Sequence, residues 1–181
     1  MNALEDKKYL QPLTRPSTFK LRTGKIEIRR IPGRKFISYQ GHGNPESNME
    51  FQLGVEAILR VSAQIKEMLR HPRRKYLLLQ SPILEIEWRS DKKNQFDYRD
   101  KNKWIWNLLT IQSFELSRGI LEKALLKTRE DINPRILKKI CYYRITSGLY
   151  ATCLHPGPYS SEHPAYRELL KSIYMEGYRP C

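Results

Sequence analysis

The sequence predicts an α+β fold made of two fused strand-helix-strand-strand modules, the second of which lacks its last two strands. Three observations support this prediction. Apolar residues recur at helical spacing over residues 51–69, directly after an alternating segment. Residues 84–89 alternate between apolar and charged side chains, as a half-buried strand does. A shift of 114 residues lays Gly43 on Gly157, and each glycine stands between a predicted strand and a predicted helix.

The first module begins with a predicted strand, "FISYQGHG", at residues 36–43. Ser47 is followed three residues later by Glu50, which is the pattern of a capping box and predicts a helix start with Ser47 as the N-cap. The apolar stripe of this helix comprises Phe51, Val55, Ile58, Leu59, Ile65 and Leu69, with Ser62 on the same face. The stripe predicts an amphipathic helix with one buried face.

Two strands complete the first module. The alternating residues 84–89 form the first of them, and "KWIWNLLTIQ" at residues 103–112 forms the second. A further helix is predicted over residues 117–131, with Ser117 as its N-cap. The first half of the chain is therefore predicted to run strand, helix, strand, strand.

The second module starts with two predicted strands, "CYYRI" at 141–145 and "GLYATCLH" at 148–155. The predicted helix that follows has Pro164 in its first turn and Gly177 as its C-terminal cap. The chain ends at Cys181, so two closing strands are missing from the predicted second module.

The chain is strongly basic, with a formal net charge of +14 over 181 residues. Ten Lys/Arg residues face three acids in residues 1–35. We predict a poorly ordered basic leader over residues 1–30 and a domain over residues 31–181, with modules at about 31–112 and 140–181. Such a leader keeps nucleic acid open as an alternative partner, although no recognition-helix, zinc-finger or RNA-binding aromatic signature accompanies it.

The cysteines and the hydropathy indicate the compartment. Cys141, Cys153 and Cys181 are odd in number and have no metal-ligand spacing, which favours reduced thiols in a cytoplasmic protein. No run of 18 apolar residues and no secretory signal pattern occur, so no membrane association is expected. Phosphate-loop, metal-site and serine-hydrolase motifs are missing, so we expect no cofactor and no metal.

Two glutamates on one strand are the candidate chemical groups. Glu85 and Glu87 lie two residues apart and therefore share a face of the predicted strand. If that face lines a cleft, a carboxylate there can take a proton from an attacking water. The alternative is a solvated sheet face on which Arg89 is an ion-pair partner.

The three tryptophans, Trp88, Trp104 and Trp106, are candidate ligand-binding residues. Trp104 and Trp106 share one strand face, so they have a common environment. An aromatic wall would suit flat or cationic organic ligands through stacking and cation–π contact. The alternative is that they belong to the core, as tryptophans in small domains usually do.

The turn "HPGPY", at residues 155–159, offers two further candidates. Gly157 between two prolines predicts a sharp, stiff turn that presents His155 and Tyr159 at the mouth of a cleft between the modules. The alternative is that His155 ends a strand and Tyr159 packs under the following helix.

Four motifs in this order resemble the GyrI-like small-molecule-binding proteins, especially the stand-alone bacterial members. They are "GHGNPES" at 41–47, "PILEIEW" at 82–88, "WIW" at 104–106, and "HPGPY" at 155–159 followed by Glu162 and "EGY". The resemblance covers about residue 30 to the end. It implies two modules related by a pseudo-two-fold axis, with a ligand cleft between them.

The resemblance also implies a function. Related domains sense drugs within AraC-type regulators, and some stand-alone members are hydrolases that open cyclopropane-containing toxins by adding water. Glu85 aligns with the motif glutamate of the family and is therefore the implied catalytic residue, in an aromatic cleft. The implied partner is a small hydrophobic, aromatic or cationic molecule.

The chain departs from the family pattern at several positions. Ile86 replaces a glycine, Glu87 a leucine, Arg89 a second tryptophan and Pro156 an isoleucine. The family segment after Glu-Gly-Tyr, with its cleft glutamate and two strands, is missing, so the chain resembles a truncated member. We therefore expect a binder, and leave open whether it is a hydrolase of cyclopropane-type electrophiles or a non-catalytic sensor or inhibitor.

Overall fold

A computed structural model describes residues 25–70, 84–90, 100–112, 115–157 and 161–180. Its strands are β1 (Glu27–Ile31), β2 (Arg34–His42), β3 (Leu84–Ser90), β4 (Trp104–Ile111), β5 (Ile140–Ile145) and β6 (Gly148–Thr152). Its helices are α1 (Met49–Met68), α2 (Arg118–Thr128), α3 (Pro134–Leu137) and α4 (His163–Met175). The predicted α+β class is confirmed.

The chain divides into two compact units. The four-stranded unit (Arg34–Ile145) contains an antiparallel sheet in the order β3-β4-β2-β5. The first four strands and α-helices described in it, β2, α1, β3 and β4, run strand, helix, strand, strand as predicted. The two-stranded unit (Met1–Gly33 with Thr146–Cys181) contains the antiparallel pair of β1 and β6, together with α4.

Helix α1 begins one residue later than predicted. Asn48, not Ser47, is the N-cap, because its side-chain oxygen accepts a hydrogen bond from the Glu50 backbone N–H at 2.8 Å. The Asn48 amide also donates to the His42 carbonyl at 2.8 Å, which joins the helix start to the end of β2. Gly43 between them has a φ of 98°, a conformation that glycine adopts without strain.

The main core lies between α1 and one face of the four-stranded sheet. Ile58, Val61 and Ile65 of α1 pack there against Ile37 and Leu108 of the sheet. These side chains have at most 1% exposure, so this face of the sheet is buried. We call it the helix-covered face.

A polar contact anchors α1 to this sheet. The Tyr39 hydroxyl donates to a carboxylate oxygen of Glu50 at 3.0 Å, and the Lys139 ammonium binds the same oxygen. The hydrogen bond from Lys139 lowers the pKa of Glu50, and burial raises the pKa of Tyr39. The buried hydroxyl is therefore satisfied by an ionised carboxylate.

The two-stranded unit has a thinner interior. No residue of α4 is buried, whereas α1 buries six. Pro164 lies in the first turn of α4 and Gly177 follows its end with a φ of 78°, both as predicted. The described residues after α4, up to Pro180, contain no strand.

The predicted leader of residues 1–30 overlaps the first described strand. Residues 27–30 belong to β1, because they pair with β6 in a ladder that includes Glu27 opposite Thr152. The first 24 residues, which carry the rest of that prediction, lie outside the described residues.

The internal repeat appears in the strand pairing itself. A shift of 114 residues carries β1 onto β5, β2 onto β6, and the start of α1 at Met49 onto the start of α4 at His163. It also carries the pair Arg34 and Ile145 onto the pair Gly148 and Ile31, and each of these pairs is observed. The two units therefore share one register, although only the four-stranded unit has strands equivalent to β3 and β4 among the described residues.

In the described part of the chain, no helix combines the length and apolar character needed to cross a membrane.

Candidate functional site

The sheet face opposite α1 is a second surface with its own apolar patch. Phe36, Leu109 and Ile111 are buried on it, and Tyr143 and Ile145 pack against them. These residues alternate along their strands with the residues of the main core, as the pleat of a sheet requires. We call this the carboxylate face, because β3 adds Glu85 and Glu87 to it.

Glu85, the predicted catalytic residue, is held by an arginine. The Arg34 guanidinium donates to its two carboxylate oxygens at 3.0 and 3.4 Å, a bidentate geometry. The same guanidinium lies 5.1 Å from the centre of the Phe36 ring. Arg34 thus connects Glu85 to the apolar patch. Each Glu85 oxygen already accepts a hydrogen bond from Arg34, so fewer lone pairs are left for Glu85 to act as a general base.

Glu87 is the centre of a larger network. Its Oε2 atom lies 2.8 Å from Arg89 Nη2, and it accepts hydrogen bonds from the Asn107 amide at 3.2 Å and the Tyr143 hydroxyl at 3.4 Å. Arg89 Nη2 also donates to the Tyr143 hydroxyl oxygen at 3.2 Å. Because β4 and β2 separate β3 from β5, the Tyr143 side chain reaches across two strands to make these contacts.

The electrostatics of this network follow from Glu87. Its carboxylate, through a hydrogen bond, raises the pKa of Arg89, which remains a cation at every physiological pH. Asn107 is only 6% exposed, and its Oδ1 atom has no hydrogen-bond partner among the described residues. A buried acceptor beside a carboxylate is a place where a water or a ligand N–H is needed.

The three tryptophans lie on the helix-covered face. Trp106 is 0% exposed and Trp104 is 8% exposed, while Trp88 is partly buried. Trp106 stacks on Tyr39 with ring centres 6.1 Å apart and meets Phe51 edge to face at 5.0 Å. Trp88 and Trp104 meet edge to face at 5.1 Å. The surroundings of these tryptophans are those of a core aromatic cluster.

The structure therefore separates two groups that we expected in one aromatic and carboxylate cleft. Trp88 pairs with Trp106 across β3 and β4, whereas Glu85 pairs with Leu109, and these pairs point to opposite faces. Ligand contact by the tryptophans stays a prediction. The aromatic rings that accompany Glu85 and Glu87 are instead those of Phe36 and Tyr143.

The predicted turn residues belong to the two-stranded unit. His155 Nε2 shares a 3.1 Å hydrogen bond with the Ser161 hydroxyl just before α4. Gly157 does not have the positive φ that Gly43 has. The turn predicted at residues 155–159 therefore does not require a left-handed backbone conformation at this glycine. Tyr159 lies outside the described residues.

Sequence reasoning missed Arg34, Asn107 and Tyr143. The sequence did contain a sign of Asn107's role, because a polar residue inside the mostly apolar run of β4 needs a hydrogen-bond partner when it is buried. The sequence contained no such sign for Tyr143 and Arg34, because their contacts with β3 depend on the order of strands in the sheet.

The described part of the chain contains no group of three or more His, Cys, Asp or Glu side chains that could hold a metal ion. Cys141 and Cys153 are free thiols, and burial raises the pKa of Cys153, which makes it a poor nucleophile. Cys181 lies outside the described residues.

The comparisons with known proteins found solved structures that are similar to this chain. A solved structure of an uncharacterised conserved protein from Listeria innocua matches 96% of this chain and 80% of its own, with a TM-score of 0.72 and 25% identity. Two Listeria innocua proteins described as hydrolases match 96% of this chain, with TM-scores of 0.71 and 0.68 at 24% and 23% identity. These matches cover 80% and 82% of the hydrolase chains.

No protein-family model matches the chain, and no curated protein gives a significant match. The chain thus has the fold of these Listeria proteins. Membership of the GyrI-like family stays an interpretation of the motifs.

Proposed function

We propose that this chain is a GyrI-like small-molecule-binding protein whose ligand is an aromatic organic cation that contacts Glu87 on the carboxylate face. The observation that supports this most directly is the position of Glu87. Its side chain is one-third exposed, and its carboxylate lies beside the Tyr143 hydroxyl and the buried Asn107 amide. A partly exposed carboxylate near the partly buried Tyr143 and Ile145 combines the two features of a small-molecule site, namely an apolar surface and a few fixed polar groups.

The chemistry of the face favours a cation over an anion. The carboxylate oxygens of Glu87 accept hydrogen bonds, and a carboxylate repels an anionic ligand. The partly buried ring of Tyr143 supplies a face on which an aromatic or cationic body can pack. Glu85 contributes less to ligand attraction, because Arg34 already neutralises it in a bidentate pair.

The test is a calorimetric titration with benzamidine, an aromatic amidinium, and with benzamide, its neutral isostere. We expect benzamidine to bind the native chain more tightly than benzamide does. Glu87→Gln keeps the size of the side chain and removes its charge. We expect it to weaken benzamidine binding about ten-fold, equivalent to about 1.4 kcal/mol.

Glu56→Gln is the matched control. Glu56 is an exposed glutamate on α1 that also pairs with an arginine, Arg60, at 2.9 Å. Its substitution removes the same charge and should leave the affinity unchanged. Equal affinity of native chain and Glu87→Gln for benzamidine, or equal binding of benzamide and benzamidine, would contradict the proposal.

Hydrolysis of a reactive electrophile is the second candidate function. Two of the structural neighbours are described as hydrolases, and the carboxylate face presents two glutamates and a tyrosine hydroxyl. In this reaction a water oxygen bonds to a strained ring carbon as the ring C–C bond breaks. One water proton passes through a carboxylate, in the proposal that of Glu85, to the carbon released.

The assay for this second function is the gain of one water in mass by a cyclopropane-bearing compound. Turnover that Glu85→Gln abolishes would support Glu85 as the base. Absence of turnover in the native chain would reject hydrolysis and leave the binding proposal standing.

A further inference from the structure

Arg89 lies where a cationic ligand of Glu87 would have to bind. The two side chains are two residues apart on β3 and share a face, with Nη2 of Arg89 2.8 Å from Oε2 of Glu87. The same Nη2 atom is 3.2 Å from the Tyr143 hydroxyl oxygen. A planar guanidinium therefore already occupies the corner between the carboxylate and the phenol.

The two arginines of this face are held differently. Arg34 reaches both oxygens of Glu85, lies over the Phe36 ring, and is 16% exposed along its side chain. The Arg89 side chain is 50% exposed and reaches Glu87 through one nitrogen. Exposed ion pairs contribute little to stability, because each charge is well hydrated whether the pair is closed or open. Arg89 can leave Glu87 for solvent at small cost, whereas Arg34 would lose its only described carboxylate partner in a buried setting.

We propose that Arg89 is a built-in competitor of the ligand: its guanidinium occupies the cation position on Glu87, and a ligand binds by displacing it. This inference rests on the proposed function and refines the ligand class. A displacing group must replace the contacts of Arg89 with Glu87 and with the Tyr143 oxygen. A planar amidinium or guanidinium has N–H donors for both, and a quaternary ammonium has none. Glu87 and the Tyr143 oxygen thus select amidines and guanidines, and Arg89 lowers the affinity for these cations because they must displace it.

The experiment compares benzamidine with benzyltrimethylammonium, which has the same charge and no N–H donor, in calorimetric titrations of folded protein. Arg89→Gln should tighten benzamidine binding by about two- to five-fold, since the displaced pair is an exposed one. Benzyltrimethylammonium has no N–H donor to replace the contacts of Arg89 and is expected to bind without displacing it, so it should gain only the smaller effect of the lost positive charge. Equal gains for the two cations would overturn the inference, because removal of a positive charge alone predicts that result.

Two controls separate the causes. Arg60→Gln removes an arginine from an exposed pair with Glu56 on α1 and should leave both affinities unchanged. Tyr143→Phe removes the oxygen that accepts from Arg89, and it should reduce the preference for benzamidine over benzyltrimethylammonium. An unchanged preference in Tyr143→Phe would contradict the proposed geometry.

The two proposals fail in distinguishable ways. If Glu87→Gln binds benzamidine as the native chain does, the proposed function is wrong at its site. If Glu87→Gln loses binding but Arg89→Gln shows no gain for benzamidine, the site stands and the competitor role of Arg89 is wrong.

Discussion

The two faces of the four-stranded sheet differ in what their side chains do. On the helix-covered face Trp106, Tyr39 and Leu108 have no exposure and pack against α1. On the carboxylate face, Glu87 and Arg89 keep one-third and one-half of their side-chain exposure within a hydrogen-bonded network. The helix-covered face therefore provides the larger core, whereas the carboxylate face combines a smaller buried apolar cluster with partly exposed charged groups.

This difference shows why an aromatic motif beside a carboxylate motif does not define a site. Glu87 and Trp88 are neighbours in the chain, yet their side chains leave β3 in opposite directions. The substitutions below test whether stability and binding separate between the two faces as this arrangement requires.

The largest effect is expected from Trp106→Ala. Truncation of a fully buried tryptophan removes its contacts with Tyr39 and Phe51 and leaves a cavity, at a cost of about 3–5 kcal/mol in the free energy of unfolding. Glu87→Gln on the other face should change that free energy by less than about 1 kcal/mol. Urea denaturation of both variants measures the contrast, and equal losses would show that the faces are not divided in this way.

Gly41→Ala tests how tightly the helix-covered face is packed. A Cβ atom at this position would lie 2.1 Å from the Trp106 ring, so side chains or backbone must shift. We expect a loss of about 1–3 kcal/mol in the free energy of unfolding.

The same substitution made in a Trp106→Leu background should cost less, because the obstructing ring is gone. Additive losses in the double variant would indicate that Gly41 is needed for another reason.

A smaller, pH-dependent effect is expected from Glu50→Gln, at the margin of the helix-covered face. Hydrogen bonding to Lys139 lowers the pKa of Glu50 below its ordinary value of 4.5, so its contribution to stability is present above that pH. The contribution is lost as the pH falls through the lowered folded-state pKa. Native chain and variant should therefore differ by about 0.5–1.5 kcal/mol near neutral pH, and the difference should shrink in acid.

Urea denaturation at about pH 7 and about pH 3 measures this change. Glu56→Gln, which alters an exposed pair, should show little difference from the native chain at either pH. A Glu50→Gln difference that stays constant with pH would rule out the ion pair as its source.

Much of the fold could be predicted because local patterns specify it. The helical spacing after residue 50, the alternation at residues 84–89, and the repeat of 114 residues correspond to α1, β3 and the shared register of the two units. The predicted N-cap was wrong by one residue. The Asn48 side chain caps the helix by accepting from the Glu50 N–H, and it also donates to the His42 carbonyl, which a serine cannot do in the same way.

The candidate site was harder to predict, for a physical reason. Alternation shows that Glu85 and Glu87 share a face, but not which aromatic residues face them from other strands. Tyr143 meets Glu87 only because the sheet order lets its side chain span β2 and β4. That contact joins residues 56 apart in the chain, and no local pattern encodes it.

The central claim is that ligand binds on the carboxylate face, and binding among the tryptophans is the competing prediction. Chemical-shift mapping by NMR during a benzamidine titration tests it directly, with the Asn107 side-chain amide and the Trp106 indole N–H as reporters of the two faces. The account predicts that the signals of Asn107 and of Tyr143 move, while the indole signal of Trp106 stays in place. Shifts concentrated at the indole signals, with the Asn107 amide unchanged, would contradict it.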